Sequence, residues 1–266
     1  MRRTTRAAWF GVLILLAVAG CAGKQGKSRR EPAPQPLRVG VTGTYPPLSF
    51  VEDGEAKGIE PDLAKKVGQR LGRPVEIEVY GLADLIPALN TKRIDVIMAG
   101  MSITPDRERQ VHFTQPYLRV GQMTLIRKSD QKYVTDYARM NRPGSKVGVK
   151  SSSTGEEYAR AILTNATIVP FATVGEGKTA LRTGKIDYFI HDAPTVWRTT
   201  GRFENDPDLT GMYRPLTEEY LAWAVRPADE HTLGKDLDRI LDQLETSGEL
   251  AATLDRWLPV RKVTVD

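Results

Sequence analysis

The sequence predicts an α/β protein of two similarly built lobes, each an open and mainly parallel sheet, joined by two crossings. Three observations carry this. Short apolar strands alternate with helical patterns over residues 37–98, the spacing of right-handed parallel crossovers. The order returns over residues 146–190, where Gly184-Lys185-Ile186-Asp187-Tyr188-Phe189-Ile190 echoes Lys92-Arg93-Ile94-Asp95-Val96-Ile97-Met98. Two apolar extended runs, residues 123–126 and 220–225, read as the strands that cross between the lobes.

Residues 37–41 form a buried strand. Gly43, Pro46 and Pro47 then force a loop that cannot join a ladder, and Leu48-Ser49-Phe50 resumes the strand. A loop at the carboxyl end of a sheet strand is where open α/β sheets bind ligands. Tyr45 projects from that loop and either packs on Phe50 or faces a ligand. Glu60-Pro61-Asp62 open a helix with Leu63, Val67 and Leu71 at helical spacing, and Gly72 closes it. The two acids at its start are explained by the helix dipole and capping rather than by a metal. A strand over 75–79 and a helix over 82–89 follow, with Leu82 reading as a core residue at the helix start.

The next strand, with Ile94, Val96, Ile97 and Met98, is expected to break at Ala99-Gly100. Thr104 can cap and Pro105 needs no donor, so a helix starts there. Small hydroxyls and free amides at such a step suit a small anion. Arg107, on the first turn, adds a fork of donors that matches a carboxylate. The alternative is a solvated arginine among Asp106, Glu108 and Arg109. The second unit repeats the logic: a strand over 146–149, then Ser151-Ser152-Ser153-Thr154 opening a helix. Ser153 is either a cap or a contact, and Thr154 reads as a second carboxylate donor. After a strand over 168–171 and a helix over 174–183, Asp192 ends the last strand of this unit. It can cap the helix that follows, meet a ligand ammonium from across a cleft, or do both. Leu237, Ile240, Leu241 and Leu244 mark a helix, and Gly248-Glu249-Leu250 start a last one.

At the amino end, three arginines precede an apolar run over residues 7–19, too short to span a membrane comfortably and suited to a signal segment. It ends Val18-Ala19-Gly20-Cys21, which resembles a bacterial lipobox, with Cys21, the single cysteine, as the lipidated residue. Residues 22–36 lack apolar periodicity and read as a solvated tether. The formal charge is +5, but residues 1–20 and 21–36 carry +3 each, which leaves −1 for residues 37–266. No nucleic-acid footprint remains. Three histidines without ligand spacing, and no nucleophile elbow, point to no metal, no cofactor and no covalent catalysis.

Ser102, Thr104, Arg107 and then Phe113-Thr114-Gln115-Pro116-Tyr117 resemble the Ser-x-Thr-x-x-Arg and Phe-(Ser/Thr)-x-Pro-Tyr signature of bacterial extracellular solute-binding proteins of the polar amino acid family. Gly58-Ile59-Glu60-Pro61-Asp62-Leu63 is similar to another of its motifs, and the resemblance runs over nearly all of residues 37–262. It implies a two-lobe, type II periplasmic-binding-protein-like fold. Lobe one would be 37–124 plus 228–262 and lobe two 125–227, behind a signal peptide (1–20) and a lipidated tether (21–36). It implies ligand contacts at Tyr45, Leu82, Gly100, Ser102, Arg107, Thr154 and Asp192, with Arg107 on the α-carboxylate and Asp192 on the ammonium. The implied protein is an exported, membrane-anchored monomer that captures an amino acid for an ABC permease. Thr42-Gly43 lacks the acid seen in members that bind cationic side chains, which favours a polar or neutral ligand. The rival reading is an enzyme resembling cyclohexadienyl dehydratase on the same fold, with Glu156 or Glu219 as its acid.

Overall fold

The computed structural model describes residues 34–133, 137–201 and 203–258. The expected signal segment, Cys21 and the tether through residue 33 lie outside the described residues, as do residues 259–262.

The chain enters through β1 (Leu37–Thr42) and a small antiparallel meander, β2 (Thr44–Tyr45), β3 (Ser49–Glu52) and β4 (Glu55–Lys57). Then come α1 (Ile59–Leu71), β5 (Val75–Tyr80), α2 (Leu85–Asn90), β6 (Val96–Ser102), the single turn α3 (Pro105–Glu108), β7 (His112–Phe113) and β8 (Leu118–Val120). A second sheet is built from β9 (Gln122–Arg127), β10 (Lys146–Lys150), α4 (Thr154–Ile162), β11 (Thr167–Phe171), α5 (Val174–Arg182), β12 (Tyr188–Asp192), α6 (Ala193–Thr200) and β13 (Leu209–Met212). The chain returns with β14 (Glu219–Val225), α7 (Lys235–Thr246) and α8 (Glu249–Trp257). The first sheet runs β5-β1-β6-β14-β7, with β8 also on β14, and the second β11-β10-β12-β9-β13. In each, three neighbouring strands are parallel and the returning strands antiparallel, so both sheets are mixed. This is the two-lobe type II architecture.

The lobe boundaries need correction. Residues 219–225 were expected in lobe two, but β14 pairs with β6 through Leu221↔Ser102 and Ala222↔Met101, in the first sheet. Met123 and Thr124 were expected in lobe one, but β9 pairs with β12 and β13 in the second. Apolar alternation identifies a strand without naming its partner. The crossings are therefore at Gly121 and between β13 and β14. They touch: Leu216 N–H donates to the Gln122 carbonyl at 2.7 Å, and Gln122 N–H to Thr217 Oγ1 at 2.9 Å.

The echo between the halves has a physical basis. The Asp95 and Asp187 amides donate to the carbonyls of Arg38 and Lys146, 2.8 Å each. Their carboxylates accept the amides of the same two residues at 3.1 and 3.0 Å. Each aspartate thus fixes the start of the central strand of its sheet. The preceding isoleucine covers a glycine in that strand. A Cβ on Gly40 would lie 2.3 Å from Ile94 Cδ1, and one on Gly148 2.4 Å from Ile186 Cδ1. Both faces of each central strand are buried, as parallel strands require: Val39 and Val41 face one core, and Gly40 faces Leu85 and Ile94 of another. Ile240 and Leu244 of α7 and Leu254 of α8 join the core of the first sheet, so the terminal helices pack on lobe one.

Gly177, inside α5, tests how tight this packing is. Alanine there should gain about 1 kcal/mol of helix propensity. Its Cβ, however, would sit 2.1 Å from the Phe189 ring, which also packs edge-on with Phe171. Overpacking of that kind costs about 1–3 kcal/mol. Gly177→Ala should lower the urea midpoint at unchanged slope; a raised midpoint would show the ring has room to move.

Candidate functional site

All seven residues expected at a ligand line one cavity between the lobes. The first lobe supplies Tyr45, Leu82, Gly100, Ser102 and Arg107; the second supplies Thr154 and Asp192. A larger cavity, about 740 Å³, lies at the crossings beside Trp197 and Pro215 and contains none of the seven.

β6 is not broken at Ala99-Gly100; it continues to Ser102. Gly100 adopts φ +64°, and a Cβ there would be 3.0 Å from both Tyr45 Cε1 and Leu48 Cγ. Glycine lets the tyrosine ring lie against the strand, where the pairing of β6 with β14 is irregular between Ile97 and Met101. The Gly100 amide is held by the buried Glu60 carboxylate at 2.6 Å.

Thr104 caps α3 as expected, accepting from the Arg107 amide at 3.3 Å. The cap turns Arg107 inward rather than into solvent. Its guanidinium donates to the Ser102 carbonyl at 2.9 Å and the Ser152 carbonyl at 3.4 Å. These contacts use two of its five N–H groups. Burial lowers its pKa from the ordinary value, and Glu157, Asp192 and Glu219 oppose that shift. An arginine remains charged under such a shift.

Asp192 makes no capping bond to α6. Its carboxylate accepts the Tyr45 hydroxyl, from the other lobe, and Gln122 Nε2. Burial pushes its pKa up to about 7, with the charge of Glu219 adding to the rise; Tyr45, Gln122 and Arg107 pull the other way. The carboxylate is short of positive charge, which a ligand ammonium would supply. Tyr45 takes the site-facing alternative: its ring pairs with His191 at 5.1 Å, and Phe50 packs on Trp257 instead. Leu82 does both things expected of it, lining the cavity and packing on the core around Leu85. Ser153 caps α4, accepting the Glu156 amide at 3.2 Å and donating to the Lys150 carbonyl at 2.7 Å, and also lines the cavity.

Sequence reading named Glu219 only as a candidate acid for the enzymatic alternative and did not foresee that it ties the site together. Glu219, at the start of β14, accepts Ser102 and Thr154 hydroxyls at 2.7 Å each, Thr217 at 2.8 Å and Gln122 Nε2 at 3.1 Å. Ser102 and Thr154 come from different sheets, so one carboxylate bridges the cleft. Each hydroxyl has one proton, and Glu219 takes it, so both hydroxyls can only accept from other partners in this arrangement. The donor role expected of Thr154 requires its hydroxyl to turn away from Glu219. Lys150 and His191 were likewise not assigned to the site, although both line it. A lysine ending the apolar run Val147-Gly148-Val149 was the available signal.

Two α/β lobes that close a guanidinium and a carboxylate around one cavity define a solute-binding protein. The model of the bacterial extracellular solute-binding proteins, family 3, matches residues 37–260, and the chain belongs to that family. It is 27% identical to cyclohexadienyl dehydratase of Pseudomonas aeruginosa, over 94% of this chain and 92% of the relative. It is also 27% identical to ABC transporter arginine-binding protein 1 of Escherichia coli, over 85% and 92%. Among solved structures, the ancestral amino acid-binding protein AncCDT-1, a precursor of cyclohexadienyl dehydratase, is similar at TM-score 0.77 and 30% identity, over 84% of this chain and 95% of that one.

Proposed function

We propose that this protein is a membrane-anchored lipoprotein, lipidated at Cys21, that captures a free amino acid and delivers it to an ABC permease. The observation that supports this most is the placing of Arg107 and Asp192, from different lobes, on one cavity. Arg107 takes the α-carboxylate and Asp192 the ammonium. Contacts from both lobes exist together only when the cleft is closed, so ligand binding favours the closed state. Thermal-shift screening of the chain from Pro34 on tests the reading. That unit holds both sheets and their cores. A true ligand at 100 times its Kd should add about 2.7 kcal/mol of stability; no response to any amino acid would overturn the reading.

The Asp192 shift gives a further expectation. An ammonium needs the ionised carboxylate, so below pH 7 the empty site must lose a proton to bind. With the Asp192 pKa near 7, Kd should rise by up to about tenfold per pH unit as the pH falls, and level off above it. Titration calorimetry from pH 5.5 to 8.5 checks this. A flat profile would mean that Asp192 does not hold the ammonium.

The dehydratase relative keeps an enzymatic reading open to test. That reading needs an acid aimed at a leaving hydroxyl. Glu156 is turned to the Ser152 amide at 2.8 Å and to Arg160 Nη2 at 2.7 Å, and Glu219 is engaged by four donors. Both arrangements favour capture over catalysis. Release of an aromatic product from prephenate or arogenate would reverse that preference.

A further inference from the structure

The cavity is lined by several donors and by one carboxylate, that of Asp192. Lys150, the last residue of β10, is 7% exposed, and its ammonium donates to the Ala172 carbonyl at 3.1 Å. The carboxylate that acts on it most is Glu176, which is itself bonded to the Ala172 and Thr173 amides. His191 Nδ1 accepts the Asp192 amide at 2.8 Å, so the neutral ring carries its proton on Nε2. Burial, with the charges of Lys150 and Lys178, holds that ring neutral by lowering its pKa to about 3. Nε2 is buried and, among the described residues, has no hydrogen-bond partner; the same is true of Thr42 Oγ1, at the end of β1. Lys150, His191 and Thr42 all line the cavity.

Buried donors are nearly always satisfied, and orphans cluster where something binds. We propose that the ligand's side chain ends in a carboxylate, received by the Lys150 ammonium, the His191 Nε2–H and the Thr42 hydroxyl. This rests on the amino-acid reading above and narrows it to a dicarboxylic amino acid. An arginine or lysine side chain would set a second cation near Lys150 with Asp192 already engaged by the α-ammonium. An amide would turn its NH₂ toward a group of donors in which Thr42 alone can accept. An aliphatic side chain would leave the orphans unpaired. The sequence reading favoured a polar or neutral ligand from the lack of an acid at Thr42-Gly43; the same lack, beside Lys150 and His191, favours a negative one.

The test is titration of the chain from Pro34 on with L-glutamate, L-aspartate, L-glutamine, L-asparagine and L-arginine at fixed pH and salt. One of the two dicarboxylates should bind at least 100-fold tighter than arginine and at least tenfold tighter than its own amide. Lys150→Met should bring the acid-to-amide ratio close to one while binding of the amide persists. Thr42→Val, a smaller change, should cut the same ratio by a few fold if the lysine variant does not fold. Arginine or an amide binding more tightly than both dicarboxylates would overturn the side-chain inference and leave amino-acid capture standing. No binding of any amino acid would overturn both.

Discussion

Arg107→Ala should weaken amino-acid binding by 100-fold or more while leaving the empty protein about as stable as before. The size follows from what the side chain does. Removing one partner of a buried, hydrogen-bonded charge pair costs about 2–5 kcal/mol, because the ligand carboxylate is then buried without a cation. Arg107→Lys should recover only part of the loss, since an ammonium cannot present the two parallel donors of a guanidinium. Stability should hardly change, because the contacts of this side chain are two carbonyls, at 2.9 and 3.4 Å. Losing them removes modest hydrogen bonds but also relieves a desolvated cation. Titration calorimetry and thermal melting of the ligand-free variant separate the outcomes. Intact binding would remove Arg107 from the site, and a collapsed melting temperature would give it a structural role instead.

The contrast between what the sequence made legible and what it did not is physical. Arg107 could be found because its step is local: Thr104 as cap, Pro105 at the first position and the arginine on the same turn are read within four residues. For Tyr45 and Asp192 the residues alone left two roles open, and it was the resemblance to the family that implied ligand contacts there. Glu219 could not be placed in the same way. Its role depends on β14 lying beside β6, a pairing between residues more than a hundred positions apart. For the same reason the lobe boundary was misplaced at 220–225: the alternating pattern suits either sheet. Gly100 was taken for a strand end because glycine usually marks one. Here it admits an aromatic ring at an irregularity in the pairing with β14, and the strand continues to Ser102. Local chemistry survives in a single sequence, whereas cross-lobe chemistry needs the fold.

Glu60 carries the second large effect, and it concerns stability. Its side chain is fully buried and accepts the Gly100 amide at 2.6 Å, Tyr117 Oη at 2.5 Å and Trp223 Nε1 at 3.0 Å. Glu60→Leu would leave those three donors buried and unpaired, at about 1–3 kcal/mol each, so a loss of several kcal/mol is expected. Glu60→Gln keeps the shape and part of the bonding and should cost less. It also isolates a pH effect. Burial pushes the Glu60 pKa up to about 7, and the three donors only partly offset it. A carboxyl raised above its unfolded value of 4.5 binds more protons in the folded state between those two limits. Its contribution to stability is therefore fully present at low pH and lost as the pH rises from about 4.5 to about 7, with a slope of about 1.4 kcal/mol per unit. Asp192, also raised to about 7, adds a slope of the same sign, whereas His191, lowered to about 3, contributes the opposite one below 6.5. Glu60→Gln removes the first of these terms alone. Urea melts at pH 5, 6, 7 and 8 should show the difference between wild type and variant growing toward low pH. A constant difference would mean that Glu60 stays ionised throughout, and that the Gly100 turn supporting the Tyr45 ring is held by a permanent negative charge.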